Sequence, residues 1–295
     1  MDDKIIECPS CGNNKLKYYS ENIVLKLPIY TCTECLLHIT GKSFEEFDKR
    51  IENYYTKSFW DSHRNKNLIQ DDFTDSYSKG RLRSWISQYK YCKQHLDNTK
   101  SILEIGSGHG ETLLSFENKG FDVTGLEPDK ENTAFINKKL IYGKCINGLY
   151  ENTKIEKKFD MIWLSHVFEH ISKPIEFLKN IKKNLNPLGK IFIEVPSVEM
   201  LNDSRTFTRT PHAYNFSKQA LINIAHKAGF NVLSCDYYRP PKKYEGMINK
   251  IKPYPEYPKI KTDSQHGQDI RMIITYSIMK TVLEHSSTSG SENGS

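Results

Sequence analysis

The sequence predicts an α/β protein with a doubly wound, mostly parallel sheet, preceded by a small four-cysteine module. Two observations support this prediction. From residue 99 onward, short apolar runs alternate with amphipathic segments, and such alternation is typical of a parallel sheet with helices on both faces. Ahead of this region, two Cys-x-x-C pairs lie within the first 40 residues, a spacing typical of a small metal-stabilised module.

Length and charge limit the classes of protein to consider. The chain has 295 residues, with 42 basic and 36 acidic side chains and a net charge of +6. No apolar run reaches the roughly 18 residues of a membrane helix, and the first residues lack the apolar core of a secretory signal. We therefore expect a cytoplasmic protein without a membrane partner. Nucleic acid is not favoured as a partner either, because the charge is modest and not clustered on one face.

Residues 1–40 form the first predicted unit, a zinc-ribbon module. Short strands are expected at Tyr18–Tyr19 and at 23–25. Four thiolates close a tetrahedral cage around Zn²⁺ and leave no open coordination position. The zinc is therefore expected to be structural, since so short a segment needs the metal to fold. The four ligands are Cys8, Cys11, Cys32 and Cys35.

Residues 41–98 are polar and helix-like and are expected to connect the ribbon to the main domain. Aromatic residues cluster at 54–60. They are consistent with a connector that packs on the main domain, or with a lid over a ligand. The main domain is expected to span 99–280, and the Ser- and Gly-rich residues 281–295 are expected to form a disordered tail.

The first elements of the main domain surround a glycine-rich loop. A strand is predicted at 101–105, a helix at 111–118, a second strand at 121–127 and a later strand at 159–164. The apolar runs have strand length and glycine-rich boundaries, whereas the helix has amphipathic spacing.

Capping residues define the later elements. Ser172 followed by Pro174 predicts a helix start, and the turn at 186–189 stops that helix before a buried strand at 190–195. Ser217 predicts the cap of a further helix that runs to Gly229. Strands are expected at 231–237 and at 270–276, the second of them at an edge of the sheet.

The loop after the first strand has the pattern expected of a nucleotide-binding site. Gly106, Gly108 and Gly110 allow a sharp turn and close approach of a ligand to the backbone. Glu127 ends the next strand, 21 positions after Gly106, where a carboxylate can accept hydrogen bonds from a ribose diol. A nicotinamide fingerprint requires glycine at position 111, which here is Glu111, so an oxidoreductase is disfavoured.

These residues resemble the class I S-adenosylmethionine (SAM) methyltransferases over about residues 80–280. The matching blocks are 102–110, 123–128, 159–171, 185–196 and 212–230. The resemblance implies a Rossmann-like fold with a seven-stranded sheet and SAM as cofactor, with the glycine loop under the methionine part and Glu127 on the ribose. The SAM-binding residues it implies are Glu104, Gly106, Ser107, Gly108, Gly110, Glu127, Pro128, Leu149, Tyr150 and Ser165.

The segment after the third strand departs from the family pattern. The family often has an acidic residue there to hold the adenine amino group, whereas this chain has Asn147-Gly148-Leu149-Tyr150. Contacts to adenine are therefore expected from backbone groups and from the side chains of Leu149 and Tyr150.

A ribbon ahead of such a domain resembles the sugar C-methyltransferases, and the block from His212 is similar to sugar- and quinone-directed members. The resemblance implies a small acceptor, either a nucleotide-linked sugar or another precursor of a surface polysaccharide. Two alternatives remain open. One is a methyltransferase that acts on tRNA or on a different small metabolite. The other is an RNA- or protein-binding module whose methyltransferase domain is degenerate.

Two histidines are candidates for the base that removes the acceptor proton. His166 follows the fourth strand and His212 follows the fifth, so both lie where parallel sheets bind ligands. An unperturbed histidine pKa of about 6.5 suits this role. Arg205 and Arg209 are candidates to bind a substrate phosphate. The pattern His166-x-x-Glu169-His170 also matches a zinc-peptidase motif, but it directly follows a strand and lacks a third ligand.

Overall fold

The computed structural model describes residues 7–54, 76–198, 207–239, 260–263 and 268–276. The strands in these ranges are β1 Leu16–Asn22, β2 Leu27–Cys32, β3 His38–Thr40, β4 Ser101–Ile105, β5 Asp122–Glu127, β6 Lys144–Asn147, β7 Phe159–Ser165, β8 Leu185–Pro196, β9 Tyr214–Asn215, β10 Asn231–Arg239, β11 Ile260–Thr262 and β12 Asp269–Thr275. The α-helices are α1 Phe44–Tyr54, α2 Ser76–Cys92, α3 Glu111–Glu117, α4 Lys130–Lys139, α5 Pro174–Ile181 and α6 Lys218–Lys227.

The larger sheet has the order β11-β10-β12-β8-β7-β4-β5-β6. The five strands from β8 to β6 are mutually parallel, which confirms the Rossmann-like, mostly parallel α/β fold. The described sheet has eight strands, so the expected number of seven was wrong. The added strand is β11, which pairs antiparallel with β10 at the edge. It is too short to give a clear periodic signal in the sequence.

Strand β12 is not at an edge of the sheet, and that expectation was wrong. It lies between β8 and β10 and runs antiparallel to both. The reason is its burial on both faces: Ile270 and Met272 belong to one apolar cluster and Ile273 to the other. Such a strand is buried, so its backbone N–H and C=O groups need hydrogen-bond partners on both sides, and two neighbouring strands provide them.

The two apolar clusters cover opposite faces of the larger sheet. On one face, Trp85 of α2 and Phe116 of α3 pack with Trp163 of β7. On the other face, Phe177 of α5 and Leu221 of α6 pack against the sheet. Helices on both faces leave the ends of the strands as the place where a ligand is bound.

Most predicted element boundaries agree with the structure to within a few residues. Ser217 caps α6 as predicted, since its hydroxyl accepts a hydrogen bond from the backbone N–H of Ala220 at 3.0 Å. Ser172 is not the cap of α5: Lys173 occupies that position and Pro174 is the first helical residue. Residues 23–25 form a turn rather than a strand.

The ribbon is joined to the main domain through a second sheet of order β1-β2-β3-β9. Three strands come from the first 40 residues, and β9 comes from the segment before α6. Leu27 and Ile39 of the ribbon, together with Phe47 of α1, belong to the same apolar cluster as α5 and α6. The described parts of the connector contain the helices α1 and α2.

Several expectations concern residues outside the described ranges. These are the aromatic residues Phe59 and Trp60 of the possible lid, Arg205, and the tail at 281–295. Within the described ranges, no helix is both long enough and apolar enough to cross a lipid bilayer.

Candidate functional site

The glycine loop after β4 has the open backbone that a bound ligand requires. Gly106, Gly108 and Gly110 have φ of 75°, 56° and 88°, in the left-handed region that glycine adopts without strain. A Cβ at Gly106 would lie 2.5 Å from Val167 Cγ2, whereas one at Gly108 would have no atom within 4 Å. The loop therefore packs tightly at its first glycine and borders open space at its second.

Glu127 lies beside this loop, at the carboxyl end of β5. Its Oε2 accepts a hydrogen bond from the Gly108 N–H at 2.7 Å, and its Oε1 accepts one from the Asp129 N–H at 2.9 Å. Burial raises the pKa of Glu127 to about 7, although the two N–H groups oppose this shift. A carboxylate has about four acceptor positions, so two remain for a diol such as that of ribose.

Three buried polar atoms of the loop region lack hydrogen-bond partners among the described residues. They are Glu104 Oε2, Ser107 Oγ and Glu111 Oε1. Burial also raises the pKa of Glu104 to about 8. Because buried polar groups are normally hydrogen-bonded, these atoms fit a polar ligand lying on the loop, as the predicted position of the SAM methionine part requires.

The ends of β5 and β6 are joined by Asn147, whose amide donates to the backbone oxygens of Glu127 and Pro128 at 3.1 and 2.9 Å. Leu149 follows with 53% of its surface exposed and remains available to an adenine ring.

Tyr150 has a different environment from the one predicted. Its hydroxyl donates to Asn184 Oδ1 at 2.6 Å, and its ring packs against Phe177 of α5. A half-buried tyrosine hydroxyl requires a partner, and the partner lies on the α5 side. The predicted adenine contact from the Tyr150 side chain is therefore not supported by this geometry.

His166 follows β7 with φ of 56°, and 29% of its side chain is exposed. Its Nε2 lies 3.2 Å from Glu194 Oε1 and 3.8 Å from Asp269 Oδ1, and its Nδ1 lies 3.4 Å from Glu169 Oε1. Burial lowers the pKa of His166, but the carboxylates of Glu169 and Glu194 together raise it to about 9. His166 is thus a cation at neutral pH, in contrast to the base of pKa about 6.5 that we expected.

A buried ion pair that sequence reasoning missed lies next to His166. Arg271 Nε donates to Glu194 Oε2, and neither side chain is exposed. Gln88 donates to Glu194 Oε1 and to Ser165 Oγ, both at 2.9 Å. The hydroxyl of Ser165, predicted to contact SAM, is therefore part of this network. The available signal was a charged residue inside each of two apolar runs, Glu194 within 191–195 and Arg271 within 270–274.

His212 is more buried than His166, with 7% of its surface exposed. Its Nδ1 lies 3.0 Å from Asn215 Oδ1, and its ring packs edge-on against His170 at 4.9 Å. Burial lowers the pKa of His212 to about 4, so the ring is neutral at pH 7. The structure brings His212 and His166 to the same side of the fold, joined through Glu169 and His170.

The geometry does not match the zinc-peptidase motif. Residues 168–170 form a single 3₁₀ turn, and His166 precedes it in a left-handed conformation. The two histidines of the motif therefore do not lie on one face of an α-helix, as metal binding in that motif requires.

The four ribbon cysteines are close enough to hold one metal ion. Cys8 Sγ lies 3.5 Å from Cys35 Sγ, and Cys11 Sγ lies 3.5 Å from Cys32 Sγ. All four sulfurs lie within 4.8 Å of one another. Sulfurs about 2.3 Å from a tetrahedral zinc are separated by about 3.8 Å, so the arrangement fits this ion.

Comparison with known proteins identifies the domain. The family described as "Methyltransferase domain" matches residues 77–235, which is more than half of the chain. A tRNA U34 carboxymethyltransferase of Campylobacter curvus is 29% identical over 163 residues, 50% of this chain and 51% of that protein. The mitochondrial ubiquinone biosynthesis O-methyltransferase of Schizosaccharomyces pombe is 28% identical over 123 residues, 38% and 44% of the two chains.

A solved structure supports the same fold. The plantazolicin methyltransferase BamL, in complex with a triazolic desmethylPZN analog and SAH, is similar with a TM-score of 0.54 and 16% identity. The match covers 79% of this chain and 97% of that one. The chain spans about half the length of the curated relatives it matches. The family match, the fold and the glycine loop together lead to one conclusion: the chain belongs to the methyltransferase-domain family.

Proposed function

We propose that this enzyme transfers the SAM methyl group to a small, hydroxyl-bearing acceptor, specifically a nucleotide-linked sugar. The observation that carries this proposal is the group of polar side chains at the carboxyl ends of β7 and β8 and at the neighbouring amino end of the antiparallel strand β12. Partly exposed His166 lies there between the carboxylates of Glu169, Glu194 and Asp269. Carboxylates and imidazoles hydrogen-bond to hydroxyl groups, and this group follows β7 beside the glycine loop, since Val167 packs on Gly106.

The same acidic surroundings argue against an acceptor whose phosphates lie directly beside the reacting hydroxyl. In the described part of the chain, three carboxylates lie here beside the guanidinium of Arg271 and the His166 cation, whereas nucleic-acid sites concentrate positive charge to neutralise phosphates. A neutral sugar hydroxyl is compatible with this charge. The nucleotide part of such an acceptor would extend beyond the carboxylates.

In the proposed complex, the protein's main contribution is alignment. Glu127 holds the ribose hydroxyls, the loop from Gly106 to Gly110 lies under the methionine part, and Leu149 contacts adenine. In the transfer step the acceptor oxygen forms a bond to the methyl carbon, while the carbon–sulfur bond breaks and its electron pair stays on sulfur. Well-aligned reactants gain effective molarities of about 10⁵–10⁸ M. The acceptor oxygen also loses a proton.

His166 is the better placed of the two candidate bases, because it is 29% exposed and His212 is 7% exposed. Only neutral His166 accepts a proton. If it is the base, the rate of transfer rises with pH and levels off above about pH 9, the pKa that its carboxylate neighbours set.

The acceptor is tested by incubating the purified enzyme with radiolabelled SAM and separate pools of nucleotide sugars, free sugars and unmodified tRNA. Label transferred to a nucleotide sugar supports the proposal. Label transferred only to tRNA overturns it in favour of the second candidate, which the similarity to tRNA U34 carboxymethyltransferases motivates. That similarity runs against our expectation that nucleic acid is not a partner.

A binding module with a degenerate methyltransferase domain makes a different prediction. Such a protein does not bind SAM, so a calorimetric titration with millimolar SAM gives no heat. The intact glycine loop and the hydrogen-bonded carboxylate of Glu127 support binding.

We also propose that the four cysteines hold one structural zinc ion. Freshly purified protein is expected to contain about one zinc per chain by elemental analysis, because four close thiolates satisfy the ion completely. Cys32→Ser is expected to lose the zinc and the protection of ribbon amides from hydrogen exchange. Cys235→Ser, a change outside the ribbon, serves as the control and keeps both. Zinc-free wild-type protein with a folded ribbon would contradict the proposal.

The pKa values of His166 and His212 are expected to be shifted in opposite directions from the ordinary histidine value. In ¹³C-histidine NMR spectra, the His166 ring titrates near pH 9 and the His212 ring stays neutral down to about pH 4. Since the folded pKa of His166 is raised above 6.5, its stabilisation of the fold is complete below about pH 6.5 and is lost as the pH rises through 9. His166→Asn is expected to abolish this pH-dependent loss of stability. Asparagine suits the position because it tolerates a positive φ. A His166 ring that titrates at or below pH 6.5 contradicts the ion-pair geometry.

A further inference from the structure

The segment 207–217, here called the histidine segment because it carries His212, lies between the ribbon and the loop after β7. On the ribbon side it forms backbone hydrogen bonds. The Ile23 N–H donates to the Thr208 oxygen at 2.7 Å, and the Thr40 N–H donates to the Ala213 oxygen at 2.9 Å. Strand β9 of the segment also pairs with β3. The ribbon therefore contacts the histidine segment along most of its length.

On its other side, the histidine segment contacts the loop that carries His166. The Ala213 N–H donates to the Glu169 backbone oxygen at 2.8 Å. The rings of His212 and His170 are in edge-on contact. The carboxylate of Glu169 in turn lies 3.4 Å from His166 Nδ1. A displacement of the histidine segment would therefore reach the proposed acceptor site through directly contacting groups.

One ribbon side chain makes a connection that the backbone pairing does not. Asn22 is fully buried. Its Oδ1 accepts hydrogen bonds from the N–H groups of Val24 and Leu25, at 3.1 and 2.9 Å, and its Nδ2 donates to the Thr210 backbone oxygen at 2.7 Å. Thr210 Oγ1 lies 3.2 Å from His212 Nδ1. Asn22 thus fixes the tight turn of the ribbon and the residue that contacts His212.

We propose that Asn22 is a positioning residue, through which the ribbon fixes the rings of His212 and His170 and, through Glu169, the orientation of His166. The ribbon is then a part of the acceptor side of the enzyme and not only an appended binding module. The proposal rests on the acceptor site proposed above. Its ring-positioning component is measurable without any acceptor.

The test is Asn22→Asp, which keeps the shape and both accepted hydrogen bonds. The amide donor is replaced by an oxygen that faces the Thr210 carbonyl, so this contact becomes repulsive when the new carboxyl group is ionised. Because burial raises the pKa of a carboxyl group, the spectra are recorded over a pH range that ionises it. The NMR signals of the His212 and His170 rings are expected to shift, and exchange of the Ala213 amide hydrogen is expected to accelerate about tenfold, as loss of about 1.4 kcal/mol predicts. SAM affinity is expected to stay within about twofold, because the glycine loop and Glu127 make no contact with Asn22.

The control is Asn223→Asp. Asn223 of α6 also donates an amide hydrogen to the ribbon, to Ser10 Oγ at 3.3 Å, but it does so away from the histidine segment. In Asn223→Asp, the NMR signals of the His212 and His170 rings are expected to match those of the wild type. If Asn22→Asp does not fold, Asn22→Ser, which lacks the amide donor but adds no repulsion, replaces it with the same expected signals.

Unchanged His212 and His170 signals in a folded Asn22 variant would overturn the proposal. Failure of the proposed function is distinguishable from this result. If the proposed function is wrong, the labelled methyl group reaches no nucleotide sugar, while the shifts of the His212 and His170 signals caused by Asn22→Asp are still observed.

Discussion

Glu127→Ala is expected to weaken SAM binding by about 100-fold. Two hydrogen bonds to an ionised carboxylate contribute about 1.5 kcal/mol each at the lower end of their range, and about 3 kcal/mol corresponds to about two orders of magnitude in affinity. The substituted residue lies at the carboxyl end of a strand, so the fold is expected to persist. Isothermal titration calorimetry with SAM measures the loss, and circular dichroism checks the fold.

The matched control is Glu156→Ala, which removes an exposed carboxylate that forms an ion pair with Lys154. Its SAM affinity is expected to equal that of the wild type. Because burial raises the pKa of Glu127 to about 7, wild-type affinity is also expected to be about tenfold lower at pH 6 than at pH 8, where the ionised acceptor predominates. Wild-type affinity in Glu127→Ala would show that the ribose contact is misplaced.

Arg271→Met is expected to lower the free energy of unfolding by about 3–5 kcal/mol. Removal of one partner from a fully buried ion pair leaves the other charge poorly compensated. Here buried Glu194 would lose the guanidinium on Oε2 and keep the contacts of Oε1 with His166 and Gln88, so a loss at the lower end of this range is expected. Urea denaturation measures the change as a lower transition midpoint at unchanged slope.

The double variant Arg271→Met with Glu194→Gln provides the critical comparison. It removes both charges while the amide retains a hydrogen-bonding group for Gln88. Replacement of a whole buried ion pair is often neutral, so most of the lost stability is expected to return. If the double variant is as unstable as Arg271→Met, loss of packing volume explains the effect and the ion pair does not.

The parts of the fold and site that local sequence patterns determine were predictable. The glycine loop, Glu127 and the Ser217 cap each depend on residues close together in the chain. Their positions follow from the steric freedom of glycine and from the end of a strand. The four cysteines were predictable for the same reason, because two short ligand pairs with fixed spacing require little knowledge of the rest of the fold.

The parts that depend on strand order and register were not predictable. Glu194 and Arg271 are 77 positions apart and meet only because β8 and β12 pair at that register. The raised pKa of His166 depends on Glu169, three residues along the chain, and on Glu194, which the pairing of β7 with β8 brings beside it. Only the contribution of Glu169 could therefore be expected from neighbouring residues. Similarly, the hydrogen bond from Tyr150 to Asn184 depends on how α5 packs, which no local pattern contains.

The central position of β12 has a consequence for the order in which the protein assembles. Ribosomes synthesise β8 and β10 before β12, yet β12 separates them in the sheet. Until β12 inserts, the nascent chain contains the carboxylate of Glu194 without its guanidinium partner, and both neighbouring strands have unpaired edges, which favour wrong pairing or aggregation. Completion of the sheet is therefore a late event that follows translation of nearly all the described residues.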